Sequence, residues 1–174
     1  MKALILLMLM SIPTVVIYDF NKNKSVNDWR VVDDVVMGGR STGSFNINDG
    51  GNGVFYGSVS LENNGGFSSV RHQTKRLDLS QHSKFVITLR GDGKKYQFRT
   101  RASYEDRFSY IGVFNTTGEW QTISIPFDTM YPAFRGRTLD LPNYSGTALV
   151  EVAFLIGNKK EQEFMLEIAS ISAE

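Results

Sequence analysis

Cysteine is absent from this chain of 174 residues. That one absence removes disulfides, thiolate nucleophiles and zinc–thiolate sites together, while leaving the compartment open. Histidine is nearly as scarce. His72 and His82 are the only two, with no helical pair placed around a glutamate, so zinc hydrolysis lacks its ligand set. There is no Gly-x-Ser-x-Gly elbow to support a serine nucleophile, and no Asp-x-Asp-x-Asp loop to argue for calcium. Charge of one sign is not in excess either: 19 Lys and Arg stand against 18 Asp and Glu, for a net charge of +1. A global nucleic-acid footprint needs a clear basic surplus. These absences lead us to expect no catalytic set, no metal, no cofactor and no nucleic acid.

Long apolar runs are missing as well. The longest opens the chain, Ala3 to Met10 after Met1-Lys2, and Pro13 ends it. It is too short for a comfortable membrane span, so no stable span is expected in the mature chain. A basic start followed by a hydrophobic region of this size has the pattern of a secretory signal. Residues 1–13 are therefore expected to be a leader and 14–174 a single domain. An exported protein, periplasmic or extracellular, follows if the leader is a true signal; otherwise a cytoplasmic or membrane-associated one. With 41% hydrophobic and 21% charged residues, the remainder has ordinary globular composition and can bury a proper core.

What is present is β-sequence. Val15 to Phe20, Ser44 to Asn48, Gly53 to Leu61, Phe85 to Arg90 and Tyr96 to Ala102 all read as strands. So do Phe108 to Asn115, Glu119 to Pro126, Ala148 to Ile156 and Glu163 to Ile171. Turn signals separate them, including Asp49-Gly50-Gly51-Asn52 and Gly91-Asp92-Gly93. Helical periodicity is weak, with single turns expected around Asp78 to Ser83 and Phe127 to Pro132. Many short strands with Gly-rich turns make an all-β antiparallel sandwich or jelly roll.

Two strings interrupt this pattern: Asp33-Asp34-Val35-Val36-Met37-Gly38-Gly39-Arg40 and Asn63-Asn64-Gly65-Gly66. Gly, Asp and Asn weaken strands, so their concentration points to loops in special backbone conformations. Adjacent carboxylates on a strand point to opposite faces, which keeps Asp33 and Asp34 from working as an acid–base pair. A structural role suits one of them better: capping a loop, accepting hydrogen bonds from the Gly38-Gly39 backbone, or pairing with an arginine. Alternation also sorts the faces. Phe85, Ile87 and Leu89 share one side; Gln97, Arg99 and Arg101 share the side opposite Tyr96 and Phe98. Trp120 points away from Ile123 and Ile125. Arg71, Arg99, Arg101, Arg135 and Arg137, with Trp29 and Trp120 as stacking surfaces, read as a polar groove as readily as a solvated face bridged to Glu105, Asp106 or Asp140.

Taken together, Tyr18-Asp19-Phe20, Trp29, Asp33 to Ser41, Phe55 to Arg71, Gly91 to Tyr96, Trp120, Pro126-Phe127 and Phe134 to Arg137 resemble the complex I intermediate-associated protein 30 family over nearly everything after the leader. The resemblance implies a galactose-binding-like sandwich. It further implies a non-enzymatic assembly factor or chaperone of NADH:ubiquinone oxidoreductase, holding a protein partner such as a membrane respiratory-complex subunit. The expected contact surface comprises Asp34, Met37, Gly38, Gly39, Arg40, Asn63, Asn64, Arg71, Gln97, Arg99, Arg101, Trp120, Arg135 and Arg137. The alternative is a carbohydrate-binding module of an exported protein, with Trp120 stacking on a sugar and Asn64, Gln97 and Arg99 reading hydroxyls.

Overall fold

A computed structural model describes residues 13–174; the expected leader falls on residues outside these, save Pro13. Within the described residues, thirteen strands form two antiparallel sheets. The first holds β3 (Thr42–Ile47), β4 (Gly53–Val59), β13 (Gln162–Ala173), β6 (Lys84–Arg90) and β9 (Trp120–Pro126) in that order, with β1 (Val15–Asp19) also paired to β13. The second runs β11 (Arg137–Thr138), β10 (Tyr131–Phe134), β8 (Ser109–Asn115), β7 (Lys95–Arg101), β12 (Leu149–Ile156), β5 (Ser68–Leu77) and β2 (Trp29–Asp33). The all-β sandwich expected from the sequence is the observed fold.

The strands form where alternation places an apolar set on one face. Phe85, Ile87 and Leu89 are wholly buried, as are Tyr96 and Phe98 facing them from the other sheet. Phe85 and Phe98 meet edge-on with ring centroids 5.0 Å apart, which ties the two layers together. Trp29 is core, 6% exposed, stacked on Phe20 and His72. It is therefore not the stacking surface the sequence had offered.

The turn expected near Phe127 is a 3₁₀ turn, Phe127–Thr129. Residues 78–83 form only a turn without helix. The Phe134 to Arg137 string closes a β10–β11 hairpin, with Arg135 and Gly136 both at positive φ. That geometry is the one a two-residue hairpin favours.

Candidate functional site

The outer face of the seven-stranded sheet gathers most of the arginines. β7 is its central strand and turns Gln97, Arg99 and Arg101 away from the core. β12 runs alongside, turning Glu151, Ala153 and Leu155 the same way, since Val152 and Phe154 are in the core. Register then makes rows across the face. Arg30, Arg71, Ala153, Arg99, Ile111 and Tyr131 are successive partners in one row. Gln73, Glu151 and Arg101 form the next, and Ser69, Leu155, Gln97 and Val113 a third.

The floor is buried although it points away from the core: Glu151 is 3% exposed, Ala153 4% and Leu155 5%. Arginine stems lying across a sheet cover short neighbours in this way. Glu151 is the acid of the face, 3.4 Å from Arg101 and 3.9 Å from Arg71. Arg101 also donates to the Asp106 carbonyl. Arg99 instead donates Nε and Nη2 to Gln97 Oε1, at 2.9 and 2.6 Å. Among the described residues it has no carboxylate within ion-pair distance. Burial first, then the neighbouring Arg71 charge, push the Arg99 guanidinium down to about 10. Burial lowers Arg71 too, against the Glu151 carboxylate, which raises it.

Loops flank this face at the end where β2 stops and β5 starts. Asp34 lies fully buried there in the 3₁₀ turn Asp34–Met37. Its carboxylate accepts from Ser41 N at 2.9 Å, Ser41 Oγ at 2.5 Å, Gly66 N at 2.6 Å and Phe67 N at 3.2 Å. Burial pushes its pKa up, but the bonds from Ser41, Gly66 and Phe67 outweigh that and hold it below the usual value. The expectation that Asp34 contributes to the contact surface is thus corrected. Both oxygens are spent pinning the two Gly-rich loops together, and no accessible surface remains. The capping role is the one it fills, with Ser41, Gly66 and Phe67 as donors rather than the Gly38-Gly39 backbone. Gly39 is buried against the Asp34 carboxyl, which a Cβ would strike. Gly38 sits in the left-handed region at φ 90° and ends the turn.

The neighbouring Asp33 serves a separate set, Gly43 N at 2.9 Å and Ser68 Oγ at 2.5 Å. The two carboxylates do not converge on shared donors. Met37, 56% exposed, and Arg40, paired with Glu62 at 2.8 Å, remain available at the surface. So do Asn63 and Asn64, both at positive φ. Arg135 and Arg137 stand exposed on the edge hairpin of the same sheet, Arg135 lying over the Phe134 ring.

Trp120 is the second correction. It begins β9, on the edge of the other sheet, where Arg90 stacks over it. It shares no register row with Gln97, Arg99 and Arg101, which lie on the seven-stranded sheet. In place of the anticipated bridges to Glu105, Asp106 or Asp140, Arg71 and Arg101 pair with Glu151, and Asp106 meets Arg101 only through its backbone carbonyl. Glu151 was missed, although one acid inside the apolar run Leu149–Ile156 is itself a sign of a buried ion pair. Arg30, Ala153 and Tyr131 were missed too, since only register places them on this face.

Beside the arginine rows, Ile111, Val113 and Tyr131 with Ser124 and Pro126 line a shallow depression of about 300 Å³ at the open side of the sandwich. No group of three metal-ligating side chains occurs among the described residues, and no described helix is long and apolar enough to cross a membrane.

Comparison with known proteins follows the same lines. The family model described as Complex I intermediate-associated protein 30 matches residues 18–168. A Drosophila melanogaster protein named "Complex I intermediate-associated protein 30, mitochondrial" is 26% identical, over 73% of this chain and 50% of its own. A Mus musculus protein of the same name is 23% identical, over 88% of this chain and 54% of its own. The chain thus spans about half the length of these relatives. Among solved structures, the family 11 carbohydrate-binding module of the Clostridium thermocellum cellulase Lic26A-Cel5E superposes with a TM-score of 0.71 at 13% identity, covering 94% of this chain and 95% of the module. A domain within an exo-β-agarase reaches 0.56 at 8% identity, over 92% of this chain and 25% of that one. At such identities the likeness establishes the jelly-roll sandwich fold and nothing about ligands.

Proposed function

The chain belongs to the Complex I intermediate-associated protein 30 family, and on that premise we propose that it is a non-catalytic binding module serving the assembly of a membrane respiratory complex. It holds a protein subunit of NADH:ubiquinone oxidoreductase against the outer face of the seven-stranded sheet, with the Met37 to Arg40, Asn63-Asn64 and Arg135 to Arg137 loops as rim. The observation that carries this reading is the concentration of Arg30, Arg71, Arg99 and Arg101 on one sheet face, over a buried floor. Arginines held by packing beside apolar neighbours are the side chains that dominate protein interfaces. The diverging carboxylates of Asp33 and Asp34 support a holding role over a chemical one.

Affinity capture of the tagged protein from its own cells, read by mass spectrometry for complex I subunits, tests this. Ala153→Trp puts a bulky side chain on the face without entering the core, and is expected to reduce capture about tenfold, the loss of a single hot spot. Arg135→Ala with Arg137→Ala should reduce it less, because solvated rim charges contribute little. Trp120→Ala on the opposite sheet should leave capture unchanged. Undiminished capture by Ala153→Trp would overturn the choice of surface. The carbohydrate alternative has Trp120 on a different sheet from Gln97 and Arg99; binding on a glycan array abolished by Ala153→Trp would favour it.

The leader is a separate proposal, resting on the Met1-Lys2 start and the apolar run. N-terminal sequencing of the mature protein should begin near residue 14; an intact Met1 removes the case for cleavage.

A further inference from the structure

Among the described residues, Arg30, Arg71, Arg99 and Arg101 share register rows on the outer face of the seven-stranded sheet, with Glu151 as the carboxylate in those rows. Glu151 is committed to Arg71 and Arg101. Arg99, half-buried at the centre of the sheet, has only the neutral oxygen of Gln97. A guanidinium taken partly out of water without a counter-ion is costly. Two of its five N–H groups are used, and three remain to donate.

The residue between Arg71 and Arg99 in the row is Ala153. Two strand spacings separate the arginine Cα atoms, about 10 Å; Ala153 itself is covered, 4% exposed beneath the arginine stems, so any slot lies above it, between the guanidinium ends. Resting on the protein-binding reading above, we infer that Arg99 and Arg71 form a slot over Ala153 that receives a side-chain carboxylate from an acidic segment of the partner. Gln97 takes Nε and one Nη2 hydrogen of Arg99, and so fixes the plane of the fork that remains. A planar fork held in place binds a carboxylate through paired donors. The incoming charge also supplies Arg99 with its missing counter-ion and eases its repulsion with Arg71.

The extent of the basic patch selects a polypeptide acid over a nucleic acid. Chain-wide charge is near balance, and Glu151 interrupts the rows, so there is no long basic track for a phosphate backbone.

The test uses the full chain and a fluorescent peptide of alternating serine and glutamate, followed by anisotropy at low and physiological salt. Binding should be salt-sensitive. Arg99→Ala should weaken it about tenfold, and Arg99→Lys, which keeps the charge but not the fork, several-fold. The Nε resonance of Arg99 should shift on adding the peptide, while that of Arg135 stays in place; this readout needs no variant to fold. Equal binding by wild type and Arg99→Ala, an unmoved Arg99 resonance, or displacement by inorganic phosphate at lower concentration than by acetate would each overturn the slot. Its failure is separable from that of the function. If Arg99→Ala still captures the subunit and Ala153→Trp does not, the slot falls and the surface stands. If the peptide binds through Arg99 while Ala153→Trp captures the subunit normally, the protein-binding reading falls and the slot stands.

Discussion

Asp34→Ala is expected to lower stability by about 3–4 kcal/mol, because it strands several donors at once. Three backbone N–H groups, from Ser41, Gly66 and Phe67, and the Ser41 hydroxyl converge on this carboxylate. None can turn to water without moving the loops. For a chain of this size the loss corresponds to a fall in Tm of about 10 °C. Asp34→Asn, which keeps shape and one acceptor, should lose roughly half as much.

The pH dependence follows from the depressed folded-state value. A carboxyl whose folded pKa lies below its unfolded one stabilises fully above the unfolded value, about 4. The contribution is lost as pH falls through the folded value. Urea melts should therefore show the gap between wild type and Asp34→Asn narrowing below about pH 4. Other acids with lowered values, Glu167 among them, affect both proteins alike and cancel in the difference. A gap that stays constant into acid would mean that the charge of Asp34 contributes nothing, and that only its shape matters.

Glu151→Gln should move stability and ligand binding in opposite directions. The carboxylate is 3% exposed and sits between two guanidiniums. Neutralising it leaves Arg71 and Arg101 facing each other with no acid between them. Breaking a buried pair from one side costs about 3–5 kcal/mol. Both arginines retain some access to water, so a cost of about 2–3 kcal/mol is expected after solvent screening. The same change removes the one carboxylate that, among the described residues, pairs with the arginines of the rows, so the acidic peptide should bind several-fold more tightly. Chemical denaturation and anisotropy on one protein sample measure both. A variant that loses stability and affinity together would place Glu151 among the ligand-contacting groups instead. Unchanged stability would mean that the arginines do not need it.

The loops show how far local reading reaches. The Asp33-Asp34 and Asn63-Asn64-Gly65-Gly66 strings stand out because they break strand sequence, and the structure does put special geometry there. Residue chemistry alone, however, could not tell a surface loop from an internal clamp. Asp34 and Met37 sit three positions apart, yet one is saturated with hydrogen bonds and the other is bare. Three strand segments were also illegible: Trp29–Asp33, Ser68–Leu77 and the Tyr131 to Thr138 hairpin. Ser68–Leu77 is the instructive case. Its outward positions are Ser, Arg, Gln and Lys, and its inward ones include His72 and Thr74, so no apolar alternation marks it. Pairing to β12 and β2 makes it a strand regardless.

Sequence by itself determined the architecture. Phe85, Ile87 and Leu89, and opposite them Tyr96 and Phe98, alternate with polar residues at the period of a pleated strand, and that signal is local. It also determined that Gln97, Arg99 and Arg101 face outward together, since the same period governs all three. Only the tertiary structure decided which strands became neighbours. β7 pairs with β12, some fifty residues later, and that pairing brings Arg99 to Ala153 and Arg101 to Glu151. β9 joins the other sheet and takes Trp120 with it. Strand adjacency is chosen by how two whole apolar faces fit against each other, a property of no single segment, and it put the Trp120 indole on a different sheet from Arg99 and Arg101.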